Sequence, residues 1–122
     1  MRWRFWAVPL RADIKQMYLY VHMHPSHRDF QRIFWRDNPQ QPLQCFRLRK
    51  VTFGTASAPY QAVKTLQRLA QDYQAELPKA AEILQRDFYV DDCLTGANST
   101  EEAIRLQQDL VKLTGKANFI LR

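Results

Sequence analysis

Three carboxylates stand where stability alone would not put them. Asp91 and Asp92 adjoin each other in DFYVDDCLTG (87–96), with Phe88, Tyr89 and Val90 before them and Cys93 and Leu94 after. Adjacent negative charges repel, and Asp is depleted from strands. Asp13 lies in a second apolar, alternating run, VPLRADI (8–14). An Asp pair in a turn has a bland explanation, since its side chains hydrogen-bond nearby backbone. Apolar arms on both sides point instead to a turn that projects from a sheet. Carboxylates clustered on a rigid sheet need a cation among them. Hard oxygen ligands suit Mg²⁺ (or Mn²⁺), and Mg²⁺ takes one or two carboxylates together with substrate phosphates. Two such ions roughly 3.5–4 Å apart activate a hydroxyl and stabilise a departing pyrophosphate in an in-line displacement. The chemistry implied is nucleotidyl transfer with Asp13, Asp91 and Asp92 as its catalytic, metal-binding core. Two shared ions require Asp13 to lie on a strand beside the hairpin that bears Asp91.

Charge is distributed as a polyanionic substrate would need. The chain of 122 residues has a net charge of +6. Residues 1–50 hold ten Lys/Arg against three Asp/Glu, a balance of +7, and the rest of the chain stands at −1. Such a basic half fits nucleic acid, although a solvated basic surface looks the same in composition. Arg47 and Arg49 alternate with Phe46 and Leu48 and would give one strand a basic face. His22, His24 and His27 in HMHPSH raise the question of zinc, but no nearby Cys or His completes four ligands, and that reading is set aside. Cys45 and Cys93 have neither zinc-ligand spacing nor the density of a disulfide scaffold, and read as reduced thiols of an intracellular protein. MRWRFWAVPL begins basic and turns apolar, but the run ends at Pro9 without a small-residue cleavage site, so no signal peptide is expected. No uncharged run approaches the roughly 18 residues of a membrane span.

The positioning elements follow from periodicity. Val8, Leu10, Ala12 and Ile14 alternate as a strand does. Met17, Leu19, Val21 and Met23 alternate in a shifted phase, so a bend after Asp13 and a further extended run are expected. FQRIFWR (30–36) and QCFRLRKVTF (44–53) read as a hairpin about DNPQQPL. Gly54 ends that strand. Ser57 can cap a helix with Pro59 in its first turn, and Ala62, Val63, Leu66, Leu69, Ala70 and Tyr73 keep helical spacing. LPKAAEILQR (77–86) predicts a second helix, and DFYVDDCLTG two strand arms about a tight turn. Ser99 and Glu102 match a capping box. Ala103, Leu106, Leu110 and Leu113 form a helical stripe that stops near Gly115. NFIL (118–121) starts a last strand. The fold class expected is α+β in one domain, an antiparallel sheet with helices packed on one face.

Three motifs in this order resemble the palm of a retrotransposon reverse transcriptase, most closely the BEL/Pao class of LTR elements. RADIKQMYLYV is similar to the family's first catalytic motif, an Asp followed five residues later by an aromatic. VTFGTASAP is similar to its second, and FYVDD to its aromatic-x-Asp-Asp signature. The resemblance covers nearly the whole chain. It implies an RNA-directed DNA polymerase palm of RRM-like topology, with residues 28–53 a hairpin on the fingers side. By position, Asp13 and Asp91 would bind both metals with Asp92 in support, and Ile14 would offer a backbone carbonyl. Gln16 and Met17 would present backbone N–H groups to the triphosphate. Tyr18 would stand under the sugar, Phe53 and Gly54 would line the nucleotide pocket, and Tyr89 and Val90 would lie at the primer end. Partners implied are an RNA or DNA template-primer, deoxynucleoside triphosphates and the remainder of a polyprotein. The family's fingertips, thumb and RNase H would lie outside this stretch, so the resemblance also admits a non-catalytic remnant that keeps the fold and some nucleic-acid affinity. An RNA-binding module of the RRM kind lacks support, because no strand carries an RNP1-like pattern.

Overall fold

The computed structural model describes residues 5–122. Strands β1 (Val8–Asp13), β4 (Phe88–Tyr89) and β5 (Asp92–Ala97) form an antiparallel sheet in the order β1–β5–β4. The β1–β5 register pairs Val8 with Ala97, Leu10 with Thr95, Ala12 with Cys93 and Asp13 with Asp92. Paired residues share a sheet face and alternate along each strand. Leu10, Ala12, Cys93 and Thr95 therefore face one way, where they line a cavity of about 310 Å³ with Gln107, Leu110 and Val111 of helix α3 (Thr100–Gly115). Pro9, Arg11, Asp13, Asp92 and Leu94 face the other way. Gly96 is paired with Pro9, and a Cβ there would land on the Trp6 side chain, so glycine lets the indole lie against the strand.

Helices α1 (Ala58–Tyr73), α2 (Pro78–Arg86) and α3 pack on one another, and α3 packs on β1 and β5. The core joins Leu66, Leu69, Ile83, Leu84, Leu106, Leu110 and Leu113 to Ile14, Val51 and Cys93. The α3 start behaves as its sequence suggests: Ser99 Oγ accepts the Glu102 N–H at 3.2 Å, and Glu102 Oε2 accepts the Asn98 N–H at 3.2 Å. Ser57 holds the N-cap position of α1 but makes no capping bond; its Oγ accepts from Gln61 Nε2 at 2.9 Å instead. The left-handed residue after α3 is Asn118, with φ 60, rather than Gly115. Chain direction then reverses, and 120–122 run beside the end of β1 through an Ile14–Leu121 bridge.

Two expectations need correction. Met17–Tyr20 is a 3₁₀ helix, and a second one covers Pro25–Phe30. The alternation of 17–23 therefore does not make the segment one extended run. Met17, Val21 and Met23 are buried but Leu19 is exposed, since a 3₁₀ turn repeats every three residues. In the hairpin, β2 is Arg32–Trp35 and β3 only Gln44–Arg47. Leu48–Thr52 leaves the ladder because it is held elsewhere. Val51 N–H donates to Val21 O at 2.9 Å and Met23 N–H to Arg49 O at 2.8 Å. The buried Gln31 amide donates to Lys50 O at 2.9 Å and accepts from Thr52 N–H at 3.2 Å. All eight residues of β2 and β3 are exposed. Among the described residues, no helix is long and apolar enough to cross a membrane.

Candidate active-site face

The sheet face turned away from α3 carries the acidic residues. Asp13 and Asp92 are directly opposite each other, and Asp92 is in turn opposite Tyr89. On the far side of Asp13 stands Arg122. Asp13 N–H donates to Arg122 O at 2.8 Å, and Arg122 N–H donates to Asp13 O at 2.9 Å. The register thus lays Arg122, Asp13, Asp92 and Tyr89 in one row across the sheet. Like charges directly opposite each other destabilise a sheet. Here Arg122 Nε donates to Asp13 Oδ2 at 3.0 Å and to Oδ1 at 3.3 Å. Among the described residues, the Asp91 and Asp92 carboxylates have no hydrogen bond or ion pair.

The turn between β4 and β5 is the two residues Val90 and Asp91. Val90 has φ 54, a left-handed conformation that its branched Cβ disfavours. Such strain persists only where surroundings over-determine it. Ile14 N–H donates to Asp91 O at 2.8 Å, which ties the turn to the end of β1 while the Ile14 side chain is buried in the core. Asp87 adds a second tie. Its side chain is 10% exposed, and its carboxylate accepts from Arg86 Nε and Nη2 and from Thr95 Oγ, each at 2.8 Å. Leu94 N–H donates to Asp87 O at 3.0 Å. The hydrogen bond that Arg86 donates to Asp87 raises the guanidinium above its usual pKa, against the opposing effect of burial. Burial, with the Asp87 charge second, pushes the Cys93 thiol up to about 12, so it is a neutral core group.

A second strained backbone follows Asp13. Gln16 is left-handed, with φ 48 and ψ 45. Among the described residues, the N–H groups of Gln16 and Met17 donate to no protein acceptor. The buried Met17 side chain anchors this corner, and Tyr18 follows it, half-buried. Phe53, exposed at 59%, meets Tyr18 edge to face with ring centroids 4.8 Å apart. The contact exists because the 49–51 segment pairs with 21–23 and delivers Phe53 beside the 3₁₀ turn. Gly54 has φ 81 and open space where a Cβ would sit. Of the left-handed non-glycine residues, Gln16 and Val90 fall at positions singled out from the motifs, and Asn118 does not.

Other expected residues lie elsewhere. Arg47 is committed to Asp29 at 3.2 Å, as is Arg32 at 3.2 Å, and the Arg47 hydrogen bond leads the fall of the Asp29 pKa below its usual value. Arg49 lies beyond β3 and is exposed. The two arginines do not form one basic strand face. Arg122, Asp87 and Gln31 escaped sequence reasoning. Asp87 had one signal, a carboxylate directly beside Arg86 at the end of a helix. Arg122 and Gln31 act through partners remote in sequence and carried none.

Asp13 and Asp92 are opposed carboxylates and Asp91 is the neighbour of Asp92 in sequence, oxygen ligands of the type a hard cation takes. In this arrangement Asp13 is engaged by Arg122. Among the described residues, no three His, Cys, Asp or Glu side chains stand as a group that could hold a metal ion. No protein-family model and no curated protein matches the chain.

Proposed function

We propose that this face is the palm of an RNA-directed DNA polymerase of the reverse-transcriptase kind. The observation that carries the reading is the register that sets Asp13 opposite Asp92 on the helix-free face, with the Asp91 turn bonded to Ile14. Asp13 and Asp91 would hold Mg²⁺ or Mn²⁺, with Asp92 and the Ile14 carbonyl in support. When bound, the ions would activate the primer hydroxyl and neutralise charge on the triphosphate. The chain's own groups would do the positioning, which is most of phosphoryl-transfer catalysis. The free N–H groups of Gln16 and Met17 would cradle phosphate oxygens. Tyr18, braced by Phe53, would fill the space of a ribose 2′-hydroxyl, and the missing side chain at Gly54 would leave room for the nucleotide. Tyr89, exposed at 81%, and the strained Val90 would meet the primer end.

A second reading, a non-catalytic remnant that binds nucleic acid weakly, is favoured by the Asp13–Arg122 pair, which occupies a ligand the chemistry needs. The two readings separate in a nucleotide-binding titration. A fluorescent deoxynucleoside triphosphate should bind the chain only with Mg²⁺ or Mn²⁺, and Asp13→Asn or Asp91→Asn should abolish the effect. Binding that ignores both substitutions and the cation would remove the polymerase reading.

A further inference from the structure

We infer that the β2–β3 hairpin is a stacking platform for single-stranded nucleic acid, with Phe34 taking a base and Arg36 and the Arg32–Arg47 pair meeting phosphates. The inference rests on the reading of the chain as a nucleic-acid binder, which both functions proposed above share. It needs neither the acidic face nor catalysis. The register pairs Arg32 with Arg47 and Phe34 with Cys45. Alternate residues of a strand share a face, so these four lie on one side of the hairpin. Phe34 is 72% exposed there. Asp29 holds Arg32 and Arg47 at 3.2 Å each, which fixes two guanidiniums while cancelling only one of their charges. Arg36 holds the next alternate position, just past β2, and is exposed with no ion pair among the described residues. Trp35 and Phe46 are exposed on the opposite side.

A two-stranded hairpin with rings in water on both faces is marginal by itself, and clustered exposed apolar groups mark an interaction surface. Charge selects the occupant. Residues 28–50 hold six Lys/Arg and two Asp/Glu, a balance of +4. A second copy would set one such hairpin against another, and the two would repel; a polyanion removes the repulsion. A hairpin that enters a membrane leads with apolar residues. The connection here, DNPQQPL (37–43), is polar as far as Leu43, and Asp37 accepts from Trp35 Nε1 at 2.9 Å. Arginines beside an exposed ring suit a strand whose bases are free to stack, as they are in single strands and not in a duplex. Every base has a π-face, so sequence preference should be weak.

The test is fluorescence anisotropy of a labelled mixed-sequence DNA oligonucleotide, single-stranded and as its duplex, titrated with the full chain over a range of salt. The single strand should bind more tightly than the duplex. Phe34→Ala should weaken single-strand binding about tenfold. Phe34→Leu should do nearly the same, and Phe34→Trp should retain binding. Leu and Trp both keep an apolar side chain on the strand, so their comparison holds even where Phe34→Ala unfolds the hairpin. Arg36→Ala should lower the single-strand salt slope by about 0.7. Single-strand binding that survives Phe34→Ala, or that Phe34→Leu retains, would overturn the stacking inference and leave the chain a nucleic-acid binder. Absence of binding to either form would remove the nucleic-acid reading and the inference with it. Binding to phosphatidylserine vesicles, or dimers in sedimentation, that depend on Phe34 while the oligonucleotide ignores it would overturn the inference in favour of a membrane or a second copy.

Discussion

Tyr18 and Phe53 meet edge to face, with ring centroids 4.8 Å apart and planes at 68°. An edge-to-face pair contributes about 0.5–1.5 kcal/mol beyond area burial. Phe53 is 59% exposed, so burial gives little reason for a phenyl ring there. Under the proposed reading, Phe53 would brace Tyr18 as the aromatic floor of a nucleotide site. Phe53→Ala should lower stability by only about 1 kcal/mol but weaken deoxynucleotide binding. Tyr18→Ala should raise the affinity for ribonucleotides relative to deoxyribonucleotides. An unchanged ratio in competition titrations would make Tyr18 a packing residue.

Val90 is the sharpest backbone test. A β-branched residue at φ 54 carries about 1–3 kcal/mol of strain. Val90→Gly removes that strain while giving up some apolar contact and chain rigidity. Chemical denaturation should show stability unchanged or higher by about 0.5 kcal/mol, with nucleotide binding reduced. A loss above about 1 kcal/mol would mean the turn is relaxed and valine is there only to pack.

Arg47 and Arg49 should separate in nucleic-acid binding. Arg47 shares Asp29 with Arg32, whereas Arg49 makes no side-chain ion pair among the described residues. Arg49→Ala should weaken binding of a primed RNA template and lower the salt slope by about 1. Arg47→Ala should do less. Equal effects in a salt-titrated binding assay would show that Asp29 does not hold Arg47 back.

The helices and the acidic hairpin were legible because their signals are local. Ser99 and Glu102 announce α3, the leucine stripe of 106, 110 and 113 gives its buried face, and apolar arms around Asp91 and Asp92 give a two-residue turn. The 17–23 segment misled because alternating hydrophobicity cannot distinguish a strand from a 3₁₀ turn followed by extended chain. The left-handed Gln16 that redirects the chain looks ordinary in sequence. Gln31 is one polar residue in an aromatic run, yet its amide closes the backbone of 48–52. The acidic site was legible as residue types. Its occupant was not, because the Asp13–Arg122 contact depends on register between chain ends.

Cys93 sets an alkaline limit on the fold. Its thiol titrates at about 12 in the folded chain against a usual 9.0, so the native state favours the neutral form. That contribution is complete below pH 9 and is lost as pH rises towards 12, at up to about 1.4 kcal/mol per pH unit. Stability measured against pH should fall less steeply over this window in Cys93→Ala than in wild type. Thiol labelling of the native chain should modify the exposed Cys45 and spare Cys93. Parallel alkaline slopes would show that the Cys93 site admits the thiolate.

The central claim is that Asp13 and the adjacent Asp91 and Asp92 share divalent ions. Anomalous scattering from crystals grown with Mn²⁺ and a non-hydrolysable deoxynucleoside triphosphate tests it most directly. Two peaks roughly 3.5–4 Å apart should lie between Asp13 and Asp91, with the triphosphate against the N–H groups of Gln16 and Met17. Mn²⁺ density confined to other groups such as His22 or His24 would contradict it.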